Sequence, residues 1–215
     1  MINSITIGIM KHITIIILCL MMTHCAVQSQ VTEQSKPMEE SLPYASIPEY
    51  PDTYTAGTSL GRLVDALGFR YYWATEGLRD EDLDFDPGGD NRPPRAVLEH
   101  LHGLSNTILN APSRKPNVRP STGTPETWEE LRKQTLLNIK QASDLLKASS
   151  DEDIASYKVV FKRGERESAF DFWHMINGPI TDAIYHVGQI TSYRRSSGNP
   201  INPTVNVFSG TAGSN

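Results

Sequence analysis

Apolar residues recur at three- and four-residue spacing in four stretches of the chain, and each stretch predicts a helix with one core-facing side. The first covers about 58–78, where Leu60, Leu63, Val64, Leu67, Tyr71, Ala74 and Leu78 share a face. The second follows Asn91-Arg92-Pro93-Pro94, a start that suits proline because the first helical turn has no use for its missing N–H. Its stripe is Val97, Leu101, Leu104 and Ile108. Thr124-Pro125-Glu126 predicts the cap of the third, with Trp128, Leu131, Thr135, Ile139, Ala142 and Leu146 facing inward. In the fourth, 172–200, Ile176, Ala183, Val187 and Ile190 fall within roughly 40° of one direction on a helical wheel. Ser168-x-x-Asp171 reads as a capping box that starts this helix, and Gly198 followed by Pro200 stops it. Pro179 cannot donate to the carbonyl of Met175, so a kink or a fresh start capped by Asn177 is expected there.

The intervening segments lack this period. Asp80, Glu81, Asp82, Asp84 and Asp86 run into Pro87-Gly88-Gly89 and predict a solvated loop, without the spacing or closing Glu of a calcium-binding EF-hand. Residues 111–124 are rich in proline and read as a loop, while Tyr157 to Phe161 reads as a short extended segment before a turn at Arg163-Gly164. The pattern is that of an all-α domain over 56–203. A polar, proline-containing tether at 26–55 precedes it, and a disordered tail at 204–215 follows.

Residues 1–25 carry Lys11, no acidic residue and an apolar run from Ile13 to Met22, which predicts a secretory signal. The run is short for a membrane span, which takes about 20 apolar residues. Cleavage near Cys25-Ala26, lipid attachment to Cys25, or retention of the segment as an anchor are the processing outcomes. Each places the body outside the cytoplasm, in the periplasm, in the cell envelope or secreted, and lipid attachment or retention associates it with a membrane through its N-terminus. Cys19 and Cys25 are the only cysteines, so the exported body has no disulfide, no thiol nucleophile and no thiolate metal ligand. Loss of Lys11 with the segment moves the formal charge from −5 to −6. With that balance and no basic run, nucleic-acid binding has no electrostatic basis.

In the fourth helix, Asp182 and His186 stand one turn apart, about 40° from each other on the edge of the apolar stripe, so both reach one point between helices. His174 lands on the opposite face, in solvent. In the second helix His100 sits about 60° from Val97, on the stripe's edge, whereas His102 sits at about 140° and faces away. The wheel therefore selects His100.

The run Asp182-x-x-x-His186-Val-Gly-Gln189-Ile190 resembles the last-helix signature of the DinB-like superfamily, which includes bacillithiol-transferase-type proteins and usually reads His-x-x-x-His-x-Gly-Gln. Asp182 stands where the first His is usual. The resemblance spans roughly 58–203 and implies a four-helix bundle holding one divalent metal through three ligands, the third being a second-helix His that His100-Leu101 matches. It also implies that these bundles often dimerise. The implied ligand set is His100, Asp182 and His186. Gln189 and Tyr193, continuing the same edge, are candidates to touch a ligand residue or a substrate.

Two imidazoles and a carboxylate leave coordination positions open, as catalytic sites do. Zinc is the expected metal, with nickel, iron or manganese as alternatives, and hydrolysis of a small-molecule substrate is the simplest activity. The thiol-transferase branch depends on cytoplasmic thiols, which the signal segment argues against. A non-catalytic envelope-associated bundle with a structural or vestigial polar site is the alternative. Arg194 and Arg195 are expected to complement the dipole at the end of their own helix.

Overall fold

The computed structural model describes residues 41–121 and 123–213, and the compact unit begins at Leu42. The expected signal segment, Cys25 and the first part of the expected tether lie outside the described residues. In chain order the elements are α1 (Ala56–Thr75), α2 (Asp80–Leu83), α3 (Pro94–Asn110), β1 (Asn117–Val118), α4 (Trp128–Lys147), α5 (Asp151–Ser156), β2 (Lys158–Arg163) and β3 (Arg166–Asp171). A short α6 (Trp173–Met175), a π-turn (Ile176–Ile180), α7 (Thr181–Ser196), β4 (Val205–Asn206) and β5 (Thr211–Ala212) complete it. The chain is mostly helical. Its four long helices pack in a cycle, α1 on α4, α4 on α3, α3 on α7 and α7 on α1. None of the described helices is long and apolar enough to cross a membrane.

Local chemistry fixes the helix ends. Thr55 and Thr58 form a reciprocal cap at the start of α1, and the Thr127 hydroxyl accepts from the Glu130 N–H at the start of α4, three residues later than the expected cap. At the end of α7 the Asn199 N–H donates to the Arg194 carbonyl at 2.8 Å while Gly198 takes φ +81°, the left-handed conformation such a cap requires. Pro179 neither breaks the last helix nor restarts it. The chain passes through the π-turn, whose wider ring accommodates the missing N–H without ending the helix.

Helix α1 meets its neighbours through glycines. A Cβ on Gly57 would lie 2.4 Å from the Leu146 carbonyl oxygen, so α1 and α4 approach to backbone contact. A Cβ on Gly68 would lie 2.5 Å from the ring of Tyr44. That ring belongs to the second part of the expected tether, which is corrected here: residues 42–55 dock along α1. Tyr44 is buried, the Trp73 indole donates to the Ala45 carbonyl at 3.1 Å, and Arg62 donates to the Pro48 carbonyl at 2.6 Å. The Tyr44 hydroxyl donates to Asp65 at 3.0 Å, and burial, reinforced by that carboxylate, pushes its pKa far above the ordinary phenol range. Asp65 is fully buried and also accepts from Ser143 at 2.6 Å and from Lys147. The tail is corrected too, since β4 and β5 pair and the Ile47 N–H donates to the Gly210 carbonyl at 2.8 Å.

The acidic loop is not wholly solvated. Asp82 is buried and accepts from Arg79, from the Ser197 hydroxyl at 2.6 Å and from the Asn199 amide at 2.6 Å. Burial alone would raise its pKa, but these bonds outweigh it and hold the carboxyl well below the usual range. Beside it Arg194 is buried and donates to the carbonyls of Trp73, Ala74 and Glu76, so it caps the end of α1 and not only its own helix. A depressed carboxyl stabilises the fold above its unfolded value of about 3.9, and that contribution is lost as pH falls below it. Asp82→Asn is therefore expected to cost about 2 kcal/mol at neutral pH and much less in acid. Urea unfolding at neutral and acid pH checks this; a cost equal at both would contradict it.

The segment 158–171 forms a hairpin, with Phe161 opposite Ser168 and Arg163 opposite Arg166. Ser168-x-x-Asp171 is thus strand, not the start of the last helix. Its residues pair with the preceding strand, which supplies more backbone bonds than a four-residue cap does.

Candidate metal centre

Helices α3 and α7 pack side by side and bring His100 against Asp182 and His186. One donor atom from each of the three lies within 4.8 Å of the others. His100 Nε2 is 3.0 Å from Asp182 Oδ2, and His186 Nε2 is 3.4 Å from Asp182 Oδ1. Donors held about 2.05 Å from a tetrahedral ion stand about 3.3 Å apart, so these separations fit a common cation. The imidazole rings meet edge to face with centroids 4.7 Å apart and planes at 90°, approaching the shared point from different directions. This cluster could hold a metal ion. Asp182 and His186 come from one turn of α7, whereas His100 comes from across the interface, as the wheel predicts.

His186 Nδ1 lies 2.6 Å from Gln189 Oε1. An amide oxygen only accepts, so Nδ1 donates to it, and in the neutral ring that tautomer leaves Nε2 as the ligating atom. Gln189 therefore sets the tautomer and ring orientation of His186, the usual role of a group behind a metal-binding imidazole. Tyr193 is placed differently. Its hydroxyl donates to the Arg92 carbonyl at 3.3 Å and its ring lies 6.0 Å from Phe85, with no bond to the cluster among the described residues.

Access comes from one side. His186 is the most enclosed, its side chain 13 % exposed, while those of His100 and Asp182 are 35 % and 41 % exposed. His100 also lines a polar cleft of about 510 Å³ between α3 and the loop after it, whose walls include Glu99, Asn106 and Asn117.

His102 does not face solvent, and this corrects the wheel. It is buried against α4, with Nδ1 3.1 Å from the Thr135 hydroxyl oxygen and Nε2 3.1 Å from the Asn106 amide nitrogen. Thr135 spends its own proton on the Leu131 carbonyl, so His102 is protonated on Nδ1 and accepts at Nε2. Burial lowers its pKa and keeps it neutral. Asn138 extends the seam to Ser105 and Asn106. Neighbouring histidines on one helix thus differ in role. His100→Ala is expected to lower metal occupancy sharply; His102→Ala leaves occupancy unchanged but destabilises the fold by about 2 kcal/mol through unpaired Thr135 and Asn106. Metal content and urea unfolding of the two variants check this, and loss of metal from His102→Ala would refute it. His174, as expected, is exposed.

No protein-family model matches this chain, and no curated protein matches it either.

Proposed function

We propose that this chain is an exported four-helix bundle of the DinB-like type in which His100, Asp182 and His186 hold one divalent cation, zinc foremost, for hydrolysis of a small molecule. The convergence of three donor atoms from two helices, with His186 Nε2 freed by Gln189, carries the reading. The cycle of four long helices and the position of the cluster between the second and the last support it. A divalent cation there supplies Lewis acidity, lowering the pKa of a bound water and polarising a carbonyl or phosphoryl oxygen. The chain supplies the rest. Three ligands leave room for a substrate atom, Gln189 holds the His186 ring in place, and the cleft beside His100 gives a small molecule a route in.

Elemental analysis of the natively purified chain, followed by assay against a panel of activated esters and amides, tests this. About one equivalent of metal per chain is expected from a three-ligand site of this kind, with hydrolysis that a chelator abolishes and zinc restores. A metal-free protein that binds no zinc on dialysis would sink the proposal. One observation favours a second reading, a non-catalytic envelope protein with a structural polar site. The 3.0 Å contact between His100 and Asp182 lets the cluster satisfy itself by a hydrogen bond, and bound metal without any hydrolysis would support that reading.

A further inference from the structure

The small sheet gathers arginines on one face. Its strands run in the order β1-β2-β3, with β1 parallel to β2 and β2 antiparallel to β3. Arg163 and Arg166 are direct cross-strand partners at the turn end of the hairpin. Arg119 follows β1, donates its backbone N–H to the Lys162 carbonyl at 2.7 Å, and so stands beside Arg163 on the third strand of the row. Side chains alternate along a strand, which puts Phe161 and Arg163 on the same face as Ser168 and Arg166. These residues, with Arg119 and Lys162, line a groove of about 380 Å³.

Like charges directly opposite each other in a sheet are destabilising. Four other arginines in the described residues sit on carboxylates, Arg79 on Asp82, Arg95 on Asp84, Arg114 on Asp153 and Arg132 on Glu76, while Arg62 and Arg194 donate to backbone carbonyls. Arg119, Arg163 and Arg166 make no such pair among the described residues. Glu167 stands opposite Lys162 in the strand register and therefore on the reverse face, and Glu165 lies in the turn. The Arg119 guanidinium rests over the Phe161 ring at 6.0 Å, which steadies it over the groove. Three arginines lining one concavity suit a tetrahedral oxyanion bearing more than one charge, because each guanidinium fork can donate two parallel N–H bonds.

We propose that this groove binds a phosphate-bearing ligand, with Arg119, Arg163 and Arg166 as its donors and Phe161 as its floor. The proposal does not rest on the metal cluster or on the activity proposed for it, although Arg119 also lines the cleft beside His100. Calorimetric titration of the full chain with pyrophosphate, at low ionic strength and with a chelator present so that bound metal contributes nothing, gives the first arm. Flotation with phosphatidylglycerol vesicles against phosphatidylcholine vesicles gives the second. Saturable binding of one pyrophosphate per chain identifies a soluble phosphate; binding to the phosphatidylglycerol vesicles alone identifies a lipid headgroup. In either case R163Q combined with R166Q is expected to weaken binding at least about tenfold, and R163K to weaken it less, since lysine keeps the charge without the fork. Without ligand the double variant should melt at the native temperature or above, because a like-charge pair has gone. Absence of binding in both arms, or binding unchanged in the folded double variant, overturns the proposal.

Discussion

Replacing Asp182 or His186 with alanine is expected to weaken zinc binding by about 100-fold or more, while Gln189→Ala weakens it by only about tenfold. The difference follows from position. Sites of four ligands bind zinc with about 10–16 kcal/mol, so a lost ligand removes roughly 3 kcal/mol, whereas a lost orienting group costs 10- to 100-fold. His186 meets both conditions for a ligand: its Nε2 reaches the cluster at 3.4 Å from Asp182, and its Nδ1 is already spoken for by Gln189. Asp182→His should keep the metal while moving preference away from harder, oxygen-seeking cations. Equilibrium dialysis of the four variants side by side decides the matter. Full retention in Asp182→Ala with loss in His186→Ala would reject Asp182 as a ligand, and retention in all four would end the metal reading.

The largest loss of stability is expected at a residue remote from this chemistry. Asp65→Ala should cost about 3–5 kcal/mol, since it leaves the Lys147 ammonium and the hydroxyls of Tyr44 and Ser143 without their shared acceptor. Asp65 is fully buried, whereas the side chain of Lys147 is 23 % exposed and can turn to water, which favours the lower end of that range. For a domain of this size each kcal/mol moves the melting temperature by about 2–4 °C, so a fall of roughly 6–12 °C is expected. Tyr44→Phe, which removes one of three donors, should cost about 1 kcal/mol. Thermal unfolding measures both. A change below 1 kcal/mol in Asp65→Ala would show that burial of the carboxylate was already as costly as its partners were favourable.

The long helices and the histidine that faces the cluster were legible in the sequence because both depend on period alone. Pro94 begins α3 where the tandem prolines place it, and His100, Asp182 and His186 fall on the helix edges that meet. What escaped depends on pairing across the chain. His102 looked solvated because the wheel counted apolar residues as the buried face, yet Thr135, Asn106 and Asn138 bury a polar seam beside it. Asp65 carries no mark in the sequence, since nothing local identifies Ser143 and Lys147 as its partners. The docking of Tyr44 did leave a signal. Gly57, Gly61 and Gly68 fall within about 40° of one another on the α1 wheel, a stripe that marks close approach. The second strand of the hairpin left none, because Ser168 and Phe170 form strand only by pairing with β2.

Arg194, lodged against the last carbonyls of α1, ties the end of the last helix to the end of the first. The contacts it makes span about 120 residues of chain, and those of Ser197 and Asn199 to Asp82 nearly as many. Closing so long a loop is entropically expensive and slow compared with forming any one helix. Asp182 and His186 come together as soon as their helix winds, but His100 joins them only when α3 packs on α7. A cation held by all three would add a second tie on α7, fastening it to α3 as Arg194 fastens it to α1.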